Sequence, residues 1–339
     1  MRLRRTSPGT PGISRRRHGR GFVYRDVDGK PVADEQTAQR IAALTIPPAW
    51  THVWISTHAN GHLQAVGTDS AGRRQYIYHP DWVRQRDGRK HERVVDFGRS
   101  LPRARRLCST ALRPHELSSD RVLAAAFRIL DVGAVRIGSE AYAAENGSFG
   151  LATMLREHAT VSGHRVTFEY IAKGGQWRRQ ELPDQSLARI VSDLLDRNDP
   201  SPELLAWQDA QGWHDVTSAD INAYIRQVTR GEFTAKDFRT WNATVLMAQL
   251  LAFSEPSASS RQRSLTVRST YEKVAEYLGN TPAIARASYV DSRVVDLYND
   301  GVTLPVRVLP KRRADLPVHP AVERAVVRML ESSRDSHRT

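Results

Sequence analysis

Hydrophobic and polar positions alternate in short runs through the first part of the chain. Between residues 21 and 88, four runs are rich in β-branched and aromatic residues and are bounded by turn-forming residues, a pattern that predicts strands. The four runs are G-F-V-Y, T-H-V-W-I-S-T, H-L-Q-A-V-G and R-Q-Y-I-Y-H. One helix is predicted at about residues 34–44, where it stops before a Pro-Pro pair. This part of the chain is therefore predicted to form a small antiparallel β-sheet domain.

Beyond about residue 89, the apolar positions recur at helical spacing. The predicted helices lie at 89–107, 119–133, 184–197, 217–229, 236–254, 268–278 and 319–332. Between them, two alternating runs flank Gly174-Gly175, a strong signal for a β-hairpin with a two-residue turn, and this places Lys173 at the tip. We therefore predict an α+β protein in which a larger, mainly α-helical domain at 89–333 contains one β-hairpin.

The ends of the chain and the junction of the two domains are polar. Residues 1–20 contain seven arginines and no acidic residue, so we predict a mobile, disordered basic arm. An organelle transit peptide is the alternative, although its proline and glycine residues do not suit an amphipathic helix. The stretch at 84–90 is the predicted linker, and residues 334–339 are predicted to form a C-terminal tail.

Charge and composition indicate the kind of partner. The chain has 339 residues and a formal net charge of +13, with an isoelectric point near 10.3, which favours a polyanionic partner such as nucleic acid. A basic soluble protein or a membrane-surface binder would have the same charge. The lone Cys108 excludes an internal disulfide, and the twelve histidines show no metal-binding spacing, so we expect no metal and no other cofactor. No run approaches the roughly 18 apolar residues of a membrane span.

Four segments of the helical part could carry chemistry. They are R-I-G-S-E-A-Y at 136–142, A-K-G-G at the hairpin tip, K-D-F-R-T-W at 236–241 and G-N-T-P-A-I-A-R-A-S-Y at 279–289. Each segment alone has an ordinary structural explanation. A single arginine is usually a solvated surface residue, Lys173 suits a polar turn, and N-T-P is a common helix cap.

In this order, however, the four segments resemble the small type IB DNA topoisomerases of poxvirus and bacterial type. The resemblance runs from about residue 21 to about residue 299. It includes R-Q-Y-I-Y in the first domain, similar to that family's Q-Y-x-Y strand, and the phrases I-P-P-A-W and E-N-G-S-F-G-L. Two positions depart from the family: V-D-S follows Tyr289 where a sequence nearer I-H-P is expected, and Ser139 stands where poxvirus members have a base-contacting lysine. The second departure leaves target-sequence preference open.

The resemblance implies a role for particular residues. Tyr289 matches the nucleophile, and Arg136 and Arg239 match the two arginines that hold the scissile phosphate. Lys173 matches the general acid, and Asn280 stands where poxvirus members have histidine and bacterial members commonly have asparagine. The positions that match DNA contacts are Gln75, Tyr76, Tyr78, Tyr142 and Lys236.

These residue types suit attack on a phosphodiester. Two guanidinium groups can neutralise the non-bridging oxygens with planar, bidentate hydrogen bonds, and Asn280 can donate a further one without titrating. A phenol has a pKa of about 10, and nearby arginines favour its ionised form. The leaving 5′-oxygen needs a proton, which Lys173 on a hairpin can deliver.

The implied activity is relaxation of supercoiled DNA through transient single-strand cleavage, a 3′-phosphotyrosyl intermediate, strand rotation and religation. Because one phosphoester is exchanged for another, resealing needs no ATP, and the protein cations make a metal unnecessary. The expected partner is double-stranded DNA, with no membrane and no small-molecule cofactor, bound by a monomer that forms a clamp. In a bacterium, the protein would be cytoplasmic and nucleoid-associated.

Three other classes of protein are open to comparison. A tyrosine recombinase uses a similar set of residues on a related helical domain, but its middle motif usually reads H-x-x-R, where this chain has Lys236-Asp-Phe-Arg239. A non-catalytic DNA-binding protein of the same fold is the second alternative, and detection of a covalent adduct on DNA would exclude it. A metal-dependent nuclease is the third, but the sequence lacks the clustered carboxylates that would hold its ions.

Overall fold

The computed structural model describes residues 2–140, 143, 145, 147–254, 258–310 and 320–335. The chain forms two compact units, Met1–Glu92 and Arg93–Thr339. Both sheet-rich and helix-rich parts are present, so the predicted α+β class is confirmed. Each unit is described in turn.

The first unit is built on a five-stranded antiparallel sheet in the order β2-β1-β3-β4-β5. Its elements are β1 (Ile13–His18), β2 (Gly21–Arg25), α1 (Glu35–Ala43), β3 (Thr51–Ile55), β4 (Leu63–Thr68) and β5 (Arg74–Tyr78). Ile41 of α1 packs with Ile13, Val53, Ile55 and Ala65 in a small apolar core. The four predicted strands and the predicted helix are therefore confirmed.

The predicted mobile arm at residues 1–20 is wrong. Arg4 exchanges backbone hydrogen bonds with Asn60 and His62, at 2.9 and 2.8 Å, and β1 pairs with both β2 and β3. Ile13 is buried in the core. The guanidinium of Arg15 lies 4.1 Å from the centre of the Phe22 ring and donates to the carbonyl of Trp50 at 2.6 Å. Arginine stems can cover apolar surface while their charged ends remain hydrogen-bonded, so a basic composition did not exclude order here.

A long helix, α2 (Pro80–Ala111), replaces the predicted linker at 84–90 and the shorter helix predicted at 89–107. The linker was inferred from polarity alone. Arginine, lysine and glutamine are good helix formers, so a polar stretch that contains them can continue a helix.

The second unit is mainly helical and contains two small sheets, with strand orders β6-β7-β8 and β9-β10. Its strands are β6 (Ala159–Ser162), β7 (Arg165–Ala172), β8 (Gln176–Pro183), β9 (Ala206–Asp209) and β10 (Gly212–Asp215). Its helices after α2 are α3 (Ser119–Gly133), α4 (Gln185–Asp196), α5 (Ser218–Thr229), α6 (Ala235–Ala252), α7 (Ser260–Leu278), α8 (Pro282–Ile284), α9 (Arg293–Asn299) and α10 (Pro320–Asp335).

The predicted hairpin is present as β7 and β8, but its loop is longer than predicted. Ala172 is the last residue of β7 to pair, and its partner is Gln176. The loop therefore has three residues, 173–175, instead of a two-residue turn. Strand β6 and the β9-β10 hairpin were not predicted, and α7 begins eight residues earlier than expected, at Ser260.

Helix α6 is the centre of the helical core. Its side chains from Phe238 to Ala252 are all buried. The Phe238 ring packs edge-on against Phe97 of α2 and Phe127 of α3, with ring centres 4.9 Å apart in both pairs. The residues of α6 from Phe238 onward are therefore held in place by packing from several sides.

A buried ionic cluster joins the C-terminal helix α10 to this core. Glu323 accepts from Arg105 of α2 at 2.5 and 2.8 Å and from the indole Nε1 of Trp241 in α6 at 2.8 Å. Arg105 also donates to Asp131 of α3 at 2.7 and 2.8 Å. The cluster therefore connects α2, α3, α6 and α10 through charged hydrogen bonds.

We expect Glu323→Gln to lower the free energy of unfolding by about 1.5–3 kcal/mol, because the neutral amide weakens buried hydrogen bonds to a charged partner. The matched control is Glu331→Gln on the same helix, where Glu331 pairs with the more exposed Arg99 at 2.5 Å. That change is expected to cost no more than about 1 kcal/mol. Chemical denaturation of both variants measures the difference, and equal losses would contradict the importance assigned to the buried cluster.

Candidate active site

Helix α7 ends in a loop that positions Asn280. Gly279 has a φ of 61°, and the amides of Gly279 and Asn280 donate back to the carbonyls of Glu276 at 3.1 Å and Ala275 at 2.9 Å. These are the two bonds of a Schellman motif, in which glycine takes the left-handed conformation at little cost. A Cβ on residue 279 would also lie 2.7 Å from Nη1 of Arg178. The glycine before the N-T-P motif is thus required by geometry.

The last carbonyls of α7 are bound by arginines from three different elements. Arg178 donates to the carbonyls of Glu276 at 3.3 Å and Tyr277 at 3.0 Å. Arg239 donates to the carbonyl of Leu278 at 2.9 Å. Arg136 donates to the carbonyl of Gly279 at 2.8 Å. The final carbonyls of a helix lack partners within the helix and carry the negative end of its dipole. The C-terminus of α7 therefore gathers three guanidinium groups around Asn280.

Arg136 follows α3 on a tightly packed backbone. Ala134 has a φ of 49° and turns the chain out of the helix. The carbonyl of Arg136 accepts from the amide of Leu151 at 2.8 Å. A Cβ on Gly150 would lie 2.7 Å from the same carbonyl, so the second glycine of the E-N-G-S-F-G-L phrase allows this close approach. The predicted segment thus holds the arginine on a fixed backbone.

Arg239 lies in the second turn of α6 and is 4% exposed. Its guanidinium donates to the carbonyl of Ala134 and, at 2.9 Å, to that of Leu278. Its central carbon lies 4.9 Å from the centre of the Tyr289 ring, within the range of a cation–π interaction. Arg239 therefore links the ends of α3 and α7 to the tyrosine.

Tyr289 is the last residue of a π-helical turn, Ala285–Tyr289, which continues directly from α8. The turn is closed by a hydrogen bond of 3.0 Å from the amide of Val290 to the carbonyl of Ala285. Thr244 of α6 donates its hydroxyl to the carbonyl of Tyr289 at 3.5 Å. Such turns add one residue to a helix and are frequent at functional sites.

The surroundings of Tyr289 favour its ionised form. Burial of the ring raises the pKa of Tyr289, but the nearby positive charge of Arg239 lowers it. The charges of Arg136 and Lys236 lower it further, so the pKa lies below the ordinary value of 10. Tyr277 contrasts with it: its hydroxyl is buried, and burial raises its pKa. Tyr289 therefore has an environment suited to a nucleophile.

Two hydrogen-bond donors of this cluster are buried and make no hydrogen bond within the described part of the chain: Nε of Arg239 and Nδ2 of Asn280. The Oδ1 atom of Asn280 accepts from Nη2 of Arg136 at 2.5 Å, which orients the amide. Burial and the charge of Arg239 lower the pKa of Arg136, so the two cations disfavour each other. Unpaired donors beside two guanidinium groups are the kind of groups that bind an anionic oxygen ligand.

Lys173 lies in the loop between β7 and β8, and its side chain is exposed. Gly174 and Gly175 both have positive φ, at 85° and 70°. The inner face of the hairpin borders the arginine cluster, because Arg178 of β8, which pairs with Tyr170, donates to the last carbonyls of α7. Burial raises the pKa of Tyr170, and the charges of Arg178, Arg136 and Arg239 lower it. The structure thus places Lys173 on the hairpin that borders the cluster, three residues beyond Tyr170.

Lys236 is exposed in the first turn of α6, and its charge lowers the pKa of Tyr289. The neighbouring Asp237 has a different task, since it accepts from the backbone amide of Thr234 at 2.7 Å and from Arg93 at 2.6 and 2.7 Å. In the K-D-F-R-T-W segment, the acid therefore fixes the start of the helix while the two basic residues face the cluster.

The predicted DNA contacts of the first unit lie on strand β5 but on different faces. Tyr76 and Tyr78 share one face, with stacked rings 6.2 Å apart, and Tyr76 is 46% exposed. Gln75 points to the other face, because side chains alternate along a strand, and it donates to Asp69 at 2.8 Å. Tyr142 lies outside the described residues.

Sequence reasoning missed two polar residues on the inner face of β8. Arg178 binds the end of α7, and Gln180 donates to the carbonyl of Gly133 at the end of α3. Both stand at alternate positions that share a face with buried Leu182. Polar side chains on the buried face of a predicted hairpin were the signal that could have identified them.

Two further observations concern metals and membranes. Among the residues with described positions, no three histidine, cysteine, aspartate or glutamate side chains are grouped so that they could hold a metal ion. No helix in the described ranges is long and apolar enough to cross a membrane.

Comparison with known proteins gives the family of the chain. A model of the family described as eukaryotic DNA topoisomerase I, catalytic core, matches residues 79–300, and a model of the bacterial DNA topoisomerase IB N-terminal domain matches residues 21–69. DNA topoisomerase 1B of Acanthamoeba polyphaga mimivirus is 27% identical over 323 residues, which cover 90% of this chain and 96% of the relative. DNA topoisomerase 1B of Vaccinia virus (strain Copenhagen) is 24% identical over 281 residues, which cover 80% and 85%.

The family models and the relatives define the class of protein: this chain is an enzyme, an isomerase that changes the topology of DNA. Because the catalytic-core model spans more than half of the chain, the family is also defined. The chain belongs to the type IB DNA topoisomerases.

Proposed function

We propose that this enzyme relaxes supercoiled duplex DNA by cutting one strand with Tyr289 and resealing it through a 3′-phosphotyrosyl intermediate. The observation that carries the proposal is the convergence of Arg136, Arg239 and Asn280 beside a tyrosine of lowered pKa. The unpaired donors Nε of Arg239 and Nδ2 of Asn280 can then bind the non-bridging oxygens of the scissile phosphate.

In the proposed reaction, Tyr289 loses its phenolic proton to solvent, and its phenolate oxygen forms a bond to phosphorus as the bond from phosphorus to the 5′-oxygen breaks. Charge on the non-bridging oxygens is stabilised by guanidinium groups that are already in place, so little reorganisation is needed. The 5′-oxygen leaves with a proton from Lys173. Religation reverses these steps, with the 5′-hydroxyl as the nucleophile and Tyr289 as the leaving group.

The energy of the broken phosphoester is kept in the phosphotyrosine, so the proposed cycle needs no ATP. Arg136, Arg239 and Lys173 supply positive charge of the kind that metal ions supply in other phosphoryl-transfer enzymes, so the proposed cycle needs no divalent ion either. We propose further that one copy of the chain closes around the duplex as a clamp. The exposed face of β5 with Tyr76 and Tyr78 would contact DNA, as would Gln75, Tyr142 and Lys236.

The test is relaxation of a supercoiled plasmid by the purified full-length chain in excess EDTA without nucleotide, followed by agarose gel electrophoresis. We expect a ladder of relaxed topoisomers with plasmids of unrelated sequence, because the cations are part of the protein. Supercoils that persist under these conditions would contradict the proposal. Strand exchange confined to paired target sites would instead favour a tyrosine recombinase.

A further inference from the structure

The β7-β8 hairpin is anchored to the site through one face of β8. Gln180 donates to the carbonyl of Gly133, where α3 ends shortly before Arg136. Two residues earlier on the same face, Arg178 donates to the carbonyls at the end of α7. Side chains two apart on a strand point the same way, so this face contacts both chain segments that lead into the site.

Arg178 is the anchor nearest to Lys173. In the hairpin register, Arg178 pairs with Tyr170, and only two further pairs separate it from the loop that contains Lys173. Beyond this pair, Ile171, Trp177 and the loop residues are exposed. The two ends of the Arg178 guanidinium bind consecutive carbonyls, those of Glu276 and Tyr277, at 3.3 and 3.0 Å.

The same guanidinium lies beside the loop that carries Asn280. A Cβ on Gly279, directly before Asn280, would lie 2.7 Å from Nη1 of Arg178. Burial and the charge of Arg239 lower the pKa of Arg136, and the charge of Arg178 lowers it further. A rotation of the hairpin about its base would therefore break bonds at the end of α7. The planar fork of arginine fits two adjacent carbonyls, whereas lysine offers only a single charged point.

We propose that Arg178 is a positioning residue for the cleavage reaction. It holds the hairpin at the C-terminus of α7, so that Lys173 and Asn280 can contact the same phosphodiester. The inference rests on the proposed function, in which Lys173 supplies the proton for the 5′-oxygen. Arg178 acts through the position of Lys173 and does not need to touch the reacting atoms. Misplacement by about 1 Å can cost about 100-fold in rate.

The experiment measures single-turnover cleavage, at saturating enzyme, of two duplexes that differ only at the scissile linkage. One has the natural 5′-oxygen, and the other has a bridging 5′-sulfur, which leaves as a thiolate, because a thiol is a much stronger acid than an alcohol, and so needs no proton from a general acid. The variants are Arg178→Lys and Arg178→Gln, with Lys173→Ala as the reference for a lost general acid. The matched control is Arg179→Ala, because Arg179 is the next residue, lies on the opposite face and pairs with Glu169 and Glu181.

We expect Arg178→Lys to slow cleavage of the 5′-oxygen duplex by about 10- to 100-fold and to cleave the 5′-sulfur duplex at nearly the wild-type rate, as Lys173→Ala should. Arg178→Gln should behave in the same way, and Arg179→Ala should match the wild type on both duplexes. Melting temperatures verify that each variant is folded.

If the two Arg178 variants cleaved the 5′-sulfur duplex as slowly, relative to the wild type, as the 5′-oxygen duplex, the inference would be overturned. The defect would then not involve the proton donor. Rates equal to those of Arg179→Ala would overturn it as well. Failure of the proposed function has a different signature, since the wild-type enzyme would then form no covalent adduct with either duplex.

Discussion

Tyr289→Phe is expected to abolish the covalent adduct and plasmid relaxation while DNA binding persists. The change removes one oxygen atom, the atom proposed to bond to phosphorus, and leaves the aromatic ring beside Arg239. The half-buried ring keeps its packing, so the stability of the fold should change little. Trapping of a radiolabelled 3′ end on the protein measures the adduct, and an electrophoretic mobility shift measures binding.

The matched control for this change is Tyr277→Phe. Tyr277 lies near the end of α7, shortly before Asn280. Its hydroxyl is buried and burial raises its pKa, so it is not placed to attack DNA. This variant should keep both adduct and relaxation. A Tyr289→Phe enzyme that still forms the adduct would exclude Tyr289 as the nucleophile.

The second large effect is expected for Arg239→Ala, which should slow single-turnover cleavage by about 10³- to 10⁵-fold, the range for an arginine that stabilises a phosphoryl-transfer transition state. The change removes a charge from the phosphate site and also from the surroundings of Tyr289. Since Arg239 lowers the pKa of Tyr289, its loss raises that pKa. The rise of cleavage rate with pH should therefore move to higher pH, which a pH–rate profile measures.

Arg239→Lys separates the two contributions. Lysine keeps the positive charge, so the pH profile should shift less than in Arg239→Ala. It lacks the planar fork that binds both Ala134 and Leu278, so cleavage should remain well below the wild-type rate. If Arg239→Ala cleaved DNA at the wild-type rate with an unchanged pH profile, Arg239 would have no part in the site.

The sequence was most informative where spacing and residue type act together. The N-T-P motif with a tyrosine nine residues after the asparagine, and the arginine of K-D-F-R-T-W, indicated side chains that the structure brings into one cluster. Their convergence itself was not predictable, because it depends on the ends of α3 and α7 meeting beside α6. No local pattern encodes that meeting.

Other features depend on packing that sequence patterns do not specify. Arg178 and Gln180 anchor the hairpin only because one face of β8 meets two helix ends. The ordered strand at Ile13–His18 depends on arginine stems that lie over apolar residues, whereas composition indicated a mobile arm. Glu323 lies beyond the segment matched by the catalytic-core family, yet it accepts a hydrogen bond from Trp241 of α6, two residues after Arg239.

The π-helical turn at Ala285–Tyr289 restricts how this segment can evolve. Each residue of a helix turns the next side chain by about 100°. A single insertion or deletion between Thr281 and Tyr289 would therefore turn the phenol toward a different side of the helix. In related sequences, insertions and deletions in this segment should be rarer than substitutions. A changed direction of the tyrosine side chain is harder to compensate than a changed side-chain shape.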